Sequence, residues 1–209
     1  MILSLVLYLS DNIADTRMFQ AVDALEFGML VFMLCHFIYY LINGINHMSA
    51  DLIKAQLEGL AFTDSLTGLM NRAAYADYCA TADGEYGLVS LDLDRLKQVN
   101  DTLGHTEGDR MLKTFATILK KTFYEATILA RTGGDEFVAV FNNADSEVIE
   151  KCLSNLNDEM KAFNDKNETF TLSASAGYAF SHEVESKKIH DVFYLADLRM
   201  YEMKEAHHG

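Results

Sequence analysis

Residues 131–137 read Arg-Thr-Gly-Gly-Asp-Glu-Phe, set between two short apolar runs, Ala126–Ala130 and Phe137–Phe141. A Gly-Gly pair between β-prone runs is a strong hairpin signal, because glycine accepts the backbone angles of a tight reversal. A hairpin here commits the chain to at least one antiparallel strand pair. That excludes a plain doubly wound parallel sheet. Nothing in a turn requires Asp135 and Glu136, but a divalent cation does, since Mg²⁺ is a hard ion that prefers carboxylate oxygen. Read alone, the heptapeptide is equally compatible with a solvated turn carrying incidental acids.

A second segment narrows the choice. Leu88–Asp94 reads Leu-Val-Ser-Leu-Asp-Leu-Asp, a nearly continuous apolar run ending in two acids at i and i+2. Such a run suits a buried strand, and residues two apart share a face. Asp92 and Asp94 are therefore expected to emerge together at a strand end. One of them, the Asp135 hairpin and a backbone carbonyl can form a two-metal phosphate site. The competing reading for a strand-end Asp is the cap of the next helix. Asp94 suits that role better, which leaves Asp92 as the ligand.

Four further blocks stand in order along the chain. They are Asp64-Ser-Leu-Thr-Gly-Leu-Met-Asn-Arg72, the stretch from Asp92 through Lys97, Asn100 and His105 to Asp109, the run Thr171–Gly177, and Ala196-Asp197-Leu-Arg-Met-Tyr201-Glu-Met-Lys204. With the hairpin, they resemble the GGDEF family of diguanylate cyclases, named after the motif that stands here as Gly133-Gly134-Asp135-Glu136-Phe137. The resemblance covers about residues 60–206.

The resemblance implies an α/β (α+β) domain with the palm-like fold of nucleotidyl cyclases: a mixed, largely antiparallel central sheet flanked by helices. Local patterning is consistent with it. Strand-like runs are Tyr86–Asp92, Ala126–Ala130, Phe137–Phe141 and Phe170–Phe180; helical runs are Arg72–Thr81, Asp109–Phe123, Ser146–Phe163 and Ile189–Glu205. No GxxxxGK[ST] loop is present, so phosphates must be held by metal, hairpin backbone and lysines.

By resemblance, the chain condenses two GTP molecules into cyclic di-GMP, releasing pyrophosphate, across a homodimer of domains. Asp92, the Leu93 carbonyl and Asp135 would hold Mg²⁺, with Mn²⁺ as the alternative. Asp135 or Glu136 would take the 3′-hydroxyl proton. Gly133 and Gly134 would lie against the nucleotide, and Lys97 and Lys204 would contact phosphates, Lys97 also stabilising the transition state. Outside the motif each lysine reads as a solvated surface charge. The helix expected to start near Thr106 can also offer free N–H groups to anions.

Asn100 and Asp109 match the family's guanine readers. Guanine presents N1–H and N2–H₂ donors on one edge, and a carboxylate only accepts. Adenine would leave Asp109 facing a lone pair, and a polar group left unpaired rejects the wrong ligand. Asp109 is also placed to complement a helix dipole. His105 occupies a position near the base, where a structural role is the alternative. The runner-up reading is a catalytically silent GTP-binding module that serves as a membrane-anchored regulatory or dimerisation element.

Composition bounds what remains. The net charge of −14 argues against a nucleic-acid binder, which normally shows a basic face. Cys35, Cys79 and Cys152 are far apart with no CxxC, which suits a reducing cytosol. The pair His207-His208 reads as a polar tail.

The N-terminus is different in kind. Phe27–Ile45 is a 19-residue run without Asp, Glu, Lys or Arg. That matches the roughly 20 apolar residues needed to cross a bilayer; a buried or interface helix is the alternative. Met1–Leu9 is apolar but lacks a basic start and a cleavage site, so it reads as a short interfacial piece or the remnant of an earlier span. His47–Phe62 carries Met48, Leu52, Ala55 and Ala61, mixed with Leu57 and Leu60, at mostly three- and four-residue spacing, and reads as an amphipathic linker helix, with a helix packed on its own domain as the alternative. The expected organisation is a membrane segment 1–46 with a span at 27–45, a linker 47–62, and the cyclase domain 63–209. GTP is cytosolic, so the expected location is the bacterial inner membrane with the catalytic part in the cytoplasm.

Two departures from the family pattern stand out. Many members carry an inhibitory Arg-x-x-Asp ending five residues before the first motif glycine; here Tyr124-Glu-Ala-Thr127 fills that window. The closing helix usually continues into Gly-Arg-Asn; here Lys204 is followed by Glu205-Ala206-His207-His208-Gly209, without the arginine that aids phosphate binding.

Overall fold

The computed structural model describes the backbone of residues 2–208, and the side-chain surroundings of 8–12, 15–17, 28–49 and 61–205. The side chains of 50–60, 1–7 and 206–209 lie outside it. So does the expected amphipathic face of the linker, most of the apolar piece Met1–Leu9, and the His207-His208 tail. The chain divides into two compact units, Met1–Leu57 and Glu58–Gly209.

Helix α1 runs unbroken over Ile2–Phe62. The sequence suggested three separate pieces here. The chain has no proline, so the residue that most strongly interrupts an α-helical ladder is absent from it. Within α1, Gly28–Ser49 is long and apolar enough to cross a membrane. This stretch extends beyond Ile45, and Tyr39 and Tyr40 fall near its middle.

The second unit is built on a five-stranded sheet of order β1-β3-β4-β2-β5. The strands are β1 (Met70–Asn71), β2 (Tyr86–Leu93), β3 (Ile128–Arg131), β4 (Glu136–Asn142) and β5 (Ala174–Phe180). The pair β1–β3 is parallel, and every other neighbouring pair is antiparallel. This is the mixed sheet expected from the hairpin. Central β2 is buried along its whole length, which explains why its sequence is apolar on both faces.

Period-two alternation assigns the helices to two layers. Val89, Leu91 and Leu93 of β2, with Phe137, Ala139 and Phe141 of β4, form one core with α3 (Leu96–Leu103), α4 (His105–Thr122) and α5 (Ser146–Asn164). Leu88, Val138 and Val140 face the other way, against α2 (Arg72–Thr81) and α6 (Ile189–His208). Of the stripe that helical spacing marks on α5, Cys152, Leu156 and Met160 are buried, and Val148 and Phe163 are partly buried against the same core.

Several elements differ from expectation: strand β1 was not anticipated, and β3 starts at Ile128, not Ala126. Helix α3 was not anticipated. It is short, and the chain enters it through Arg95 in a left-handed conformation (φ 63°). Helix α4 begins at His105, beside the start expected near Thr106 and four residues before the helical run read from Asp109, because Gly104 (φ 89°) breaks the chain just ahead of it. Strand β5 starts at Ala174, not Phe170. The Asn164 amide takes both backbone groups of Leu172, at 2.7 and 2.8 Å, so this segment is bonded to the end of α5 and not to β2.

Helix α6 lies close on β5 because residue 177 is glycine. A Cβ built there would sit 2.2 Å from Met200 N and 2.3 Å from Ala196 O, both backbone atoms of α6. Neither can yield without moving the helix. Gly177→Ala is therefore expected to destabilise the domain by about 1–3 kcal/mol, the usual range for overpacking a filled core. Urea unfolding with a fluorescence or circular-dichroism readout measures this directly, and an unchanged midpoint would contradict the packing described.

Candidate active site

The C-terminal end of β2 meets the β3–β4 hairpin. Register pairs Asp92 with Glu136, and the Leu93 N–H donates to the Asp135 carbonyl at 2.9 Å. Directly paired residues share a face, so Asp92 and Glu136 both point toward the α2/α6 layer. Like charges placed opposite each other are destabilising unless a cation intervenes. The local cation is Lys204 of α6, whose Nζ lies 2.7 Å from Asp92 Oδ1.

Asp92 is only 8 % exposed, more buried than a strand-end acid emerging into solvent. Burial raises its pKa, the Lys204 contact lowers it, and the nearby Asp135 and Asp94 carboxylates raise it again; the net shift is upward. Burial lowers the Lys204 ammonium. The bond to Asp92 and the fields of Asp92, Asp135 and Asp94 more than offset that, and its pKa ends above the usual lysine value.

Asp94 does not cap the following helix. The N-cap position of α3 is Arg95, with no side-chain cap bond. Asp94 is instead 2 % exposed and accepts from the Ser173 and Ser175 hydroxyls at 2.6 and 3.0 Å. The two acids of this strand end thus have separate surroundings. Asp94 is tied to the neighbouring chain segment, and Asp92 is turned to α6.

The glycines of the hairpin serve a purpose other than a tight turn. Neither Gly133 nor Gly134 has positive φ. A Cβ on Gly133 would lie 2.4 Å from Glu136 Oε2, so glycine lets the Glu136 side chain fold back over the loop. A Cβ on Gly134 would meet nothing within 4 Å, which leaves that backbone open to an incoming group. Arg131 holds the tip in shape. Its Nε and Nη2 donate to the Gly134 carbonyl at 3.2 and 2.8 Å, and its Nη1 pairs with Asp64 at 3.2 Å. Asp64 also accepts from the Thr67 N–H and hydroxyl. Both residues belong to quoted motifs, but only the fold shows that one holds the other.

On the opposite sheet layer, α3 and α4 pack together and carry the remaining candidates. Lys97 and Asn100 lie about one turn apart on α3, and His105 and Asp109 about one turn apart on α4. Lys97, His105 and Asp109 are exposed. The Asn100 amide lies against Gly108, where a Cβ would come within 1.9 Å of its Oδ1, so Asn100 packs on the residue that precedes Asp109 in α4. A cavity of about 510 Å³ opens elsewhere, between α2 and α6, with Glu136 as one wall. Lys97, Asn100 and Asp109 are not among its walls.

Among the described residues, no three His, Cys, Asp or Glu side chains converge on a metal-sized point. The donor set at hand is two carboxylates, Asp92 and Asp135, and the Leu93 carbonyl. It fits Mg²⁺, which is usually bound by one or two carboxylates while water and substrate phosphates complete the octahedron. It does not suit a dedicated all-protein cage.

Comparison with known proteins adds the family. Residues 61–209 match the family model described as diguanylate cyclase, GGDEF domain. The chain is 35% identical over 155 residues to diguanylate cyclase DgcP of Pseudomonas aeruginosa, covering 70% of this chain and 23% of that protein. It is 32% identical over 178 residues to cyclic di-GMP phosphodiesterase PdeR of Escherichia coli, covering 82% of this chain and 27% of that protein. The chain thus spans about a quarter of the length of these relatives. The coiled coil and GGDEF domain of DgcB from Caulobacter crescentus, solved with c-di-GMP, superposes with a TM-score of 0.66 at 26% identity, over 79% of this chain and 95% of that one.

The clamp on the hairpin carries a stability prediction. Burial raises Asp64, but the Thr67 and Arg131 contacts outweigh it, and its pKa is lowered. A carboxylate with a lowered folded pKa contributes stability above its unfolded pKa and loses it as pH falls through the folded value. Arg131→Met should therefore cost about 1–3 kcal/mol near neutral pH, as for a charged hydrogen bond. The gap to wild type should shrink as pH drops through the carboxylate range. Denaturant midpoints at several pH values check this; a pH-independent gap would contradict it.

Proposed function

The chain belongs to the GGDEF family, and from that premise we propose that it is a diguanylate cyclase. In this reading two GTP molecules are condensed into cyclic di-GMP. Each 3′-oxygen bonds to the α-phosphorus of the other nucleotide, the bond to the β-phosphate oxygen breaks, and pyrophosphate leaves. The observation that carries the proposal is the register of β2 against the hairpin, which sets Asp92 and Asp135 beside the open Gly134 backbone.

Phosphoryl transfer of this kind is mostly positioning and charge stabilisation. Asp135 or Glu136 accepts the 3′-hydroxyl proton. Lys97 and Lys204 hold phosphate oxygens, and Lys204 must exchange its contact with Asp92 for one with the nucleotide. Asn100 and Asp109 read the guanine edge, with His105 nearby. Mg²⁺ bound by Asp92, Asp135 and the Leu93 carbonyl would neutralise charge on the phosphates. One domain supplies one nucleotide, so ring closure takes two domains face to face. The stretch Gly28–Ser49 supports a membrane anchor with the catalytic part in the cytoplasm, where GTP is found. An anchor that pairs two copies would raise their effective concentration.

A second reading has its own support. A relative named as a phosphodiesterase shares this region, so family membership alone does not specify cyclisation. In that reading the domain binds GTP without turning it over and serves regulation.

Purified protein with GTP and Mg²⁺ separates the two readings. Cyclic di-GMP should form, and Asp92→Asn and Asp135→Asn should each lower the rate by at least about 100-fold while the folded signal is kept, as expected when charge stabilisation is lost. Asn is the right replacement because Asp92 is buried and a smaller residue would leave a cavity. Full activity in either folded variant would remove the metal assignment; no product from wild type would favour the silent module.

Feedback gives a further expectation. Tyr124-Glu-Ala-Thr127 offers no guanidinium fork to the product and no carboxylate at its Asp position. Added cyclic di-GMP should inhibit only by competing with GTP, and saturating GTP should restore the full rate. A noncompetitive component in initial-rate data would reveal a second product site.

A further inference from the structure

We propose that the helix Gly28–Ser49 pairs with the same helix of a second copy of this chain, through a polar seam centred on His36, Tyr40 and Asn43. The inference rests on reading this helix as a membrane span and the chain as a cyclase that works in pairs.

The observation is how the span's side chains are distributed. At about 100° per residue, every His, Tyr and Asn of the stretch falls within one arc of roughly 120°. These are His36, Tyr39, Tyr40, Asn43, Asn46 and His47. The opposite face carries Leu34, Ile38, Leu41 and Ile45, all exposed. On the seam the rings form one cluster: His36 stacks on Phe32 at 5.2 Å and meets Tyr40 edge-on at 5.4 Å, and Tyr39 meets Tyr40 at 5.8 Å. No part of the most apolar window is buried within the chain.

A helix that simply sat in lipid would have no reason to sort its residues this way. His36 lies about 12 Å along the axis from Gly28 and about 20 Å from Ser49, well inside the hydrocarbon core. Hydrocarbon offers an imidazole or an amide nothing to bond, and ionisable residues at this depth normally face protein or a water-filled cavity. A second copy supplies what is missing. Neutral imidazole and the Asn amide are each donor and acceptor. Two copies related by a two-fold axis can therefore satisfy each other with identical residues. Gly44 borders the seam, and a Cβ there would meet nothing within 4 Å, so backbones can approach at that level.

The test is disulfide cross-linking of the full chain in membranes. In a Cys35→Ser background, single cysteines replace Tyr40 or Asn43 on the seam, and Ile38 or Leu41 on the opposite face; the background without an added cysteine is the blank. Oxidation should give dimers at the seam positions in about ten-fold higher yield than at the aliphatic ones. Adding His36→Leu with Asn43→Leu should cut the Tyr40→Cys dimer by about ten-fold, the scale of two interhelical hydrogen bonds. Equal yields on both faces, no dimer in a chain that stays in the membrane after an alkaline wash, or no effect of the leucine pair would each overturn the seam. Release of the chain by the alkaline wash would overturn it together with the membrane reading. Seam-specific dimers in a chain that makes no cyclic di-GMP would uphold the seam and remove the cyclase reading.

Discussion

The antiparallel register of β2 against β4 decides where the charges of this molecule meet. A slip of one residue would turn Asp92 to the other sheet face, away from α6, and bury an apolar side chain in its place. The register is held along the full length of β2, from Tyr86 opposite Asn142 to Asp92 opposite Glu136. Phe137, Ala139 and Phe141 can reach their core only in that alignment. Apolar packing thus places the carboxylates, though none of them contributes to it.

The cost of that placement is electrostatic. Asp92, Asp94, Asp135 and Glu136 crowd one end of the sheet in a chain of net charge −14. The fold offsets this locally. Ser173 and Ser175 take Asp94, Lys204 takes Asp92, and Glu136 folds back over Gly133. What remains is a set of carboxylate oxygens next to an open backbone at Gly134. That arrangement suits a hard cation and a phosphate ester together better than either alone, because each offsets the charge of the other.

The two units solve different solvation problems. In the second unit, polar groups at the sheet end are bonded to neighbours within the same chain. In α1 the ring and amide groups between His36 and His47 sit on one face of an exposed helix, with aliphatic residues opposite. The same polarity that would be unremarkable on a soluble surface becomes a demand for a partner once the helix is placed in hydrocarbon.

The strands, the hairpin and the two-sided core were legible from the sequence because they follow periodicity: alternation in Leu88–Asp94, a glycine pair between apolar runs, a 3.6-residue stripe in α5. The family was legible because its motif blocks are each contiguous in sequence. What the sequence did not reveal was which motif touches which. That Arg131 clamps Gly134 while pairing with Asp64, that Asp94 bonds two serines and leaves the cap position to Arg95, and that Lys204 reaches Asp92 are contacts over long stretches of chain. They are set by strand register and by how closely α6 can approach Gly177, and no local pattern encodes either. The short helix α3 and the late start of β5 were missed for the same reason. Their boundaries depend on a left-handed residue and on one asparagine amide that competes with the sheet for backbone bonds. Local chemistry named the residues, and tertiary packing chose their partners.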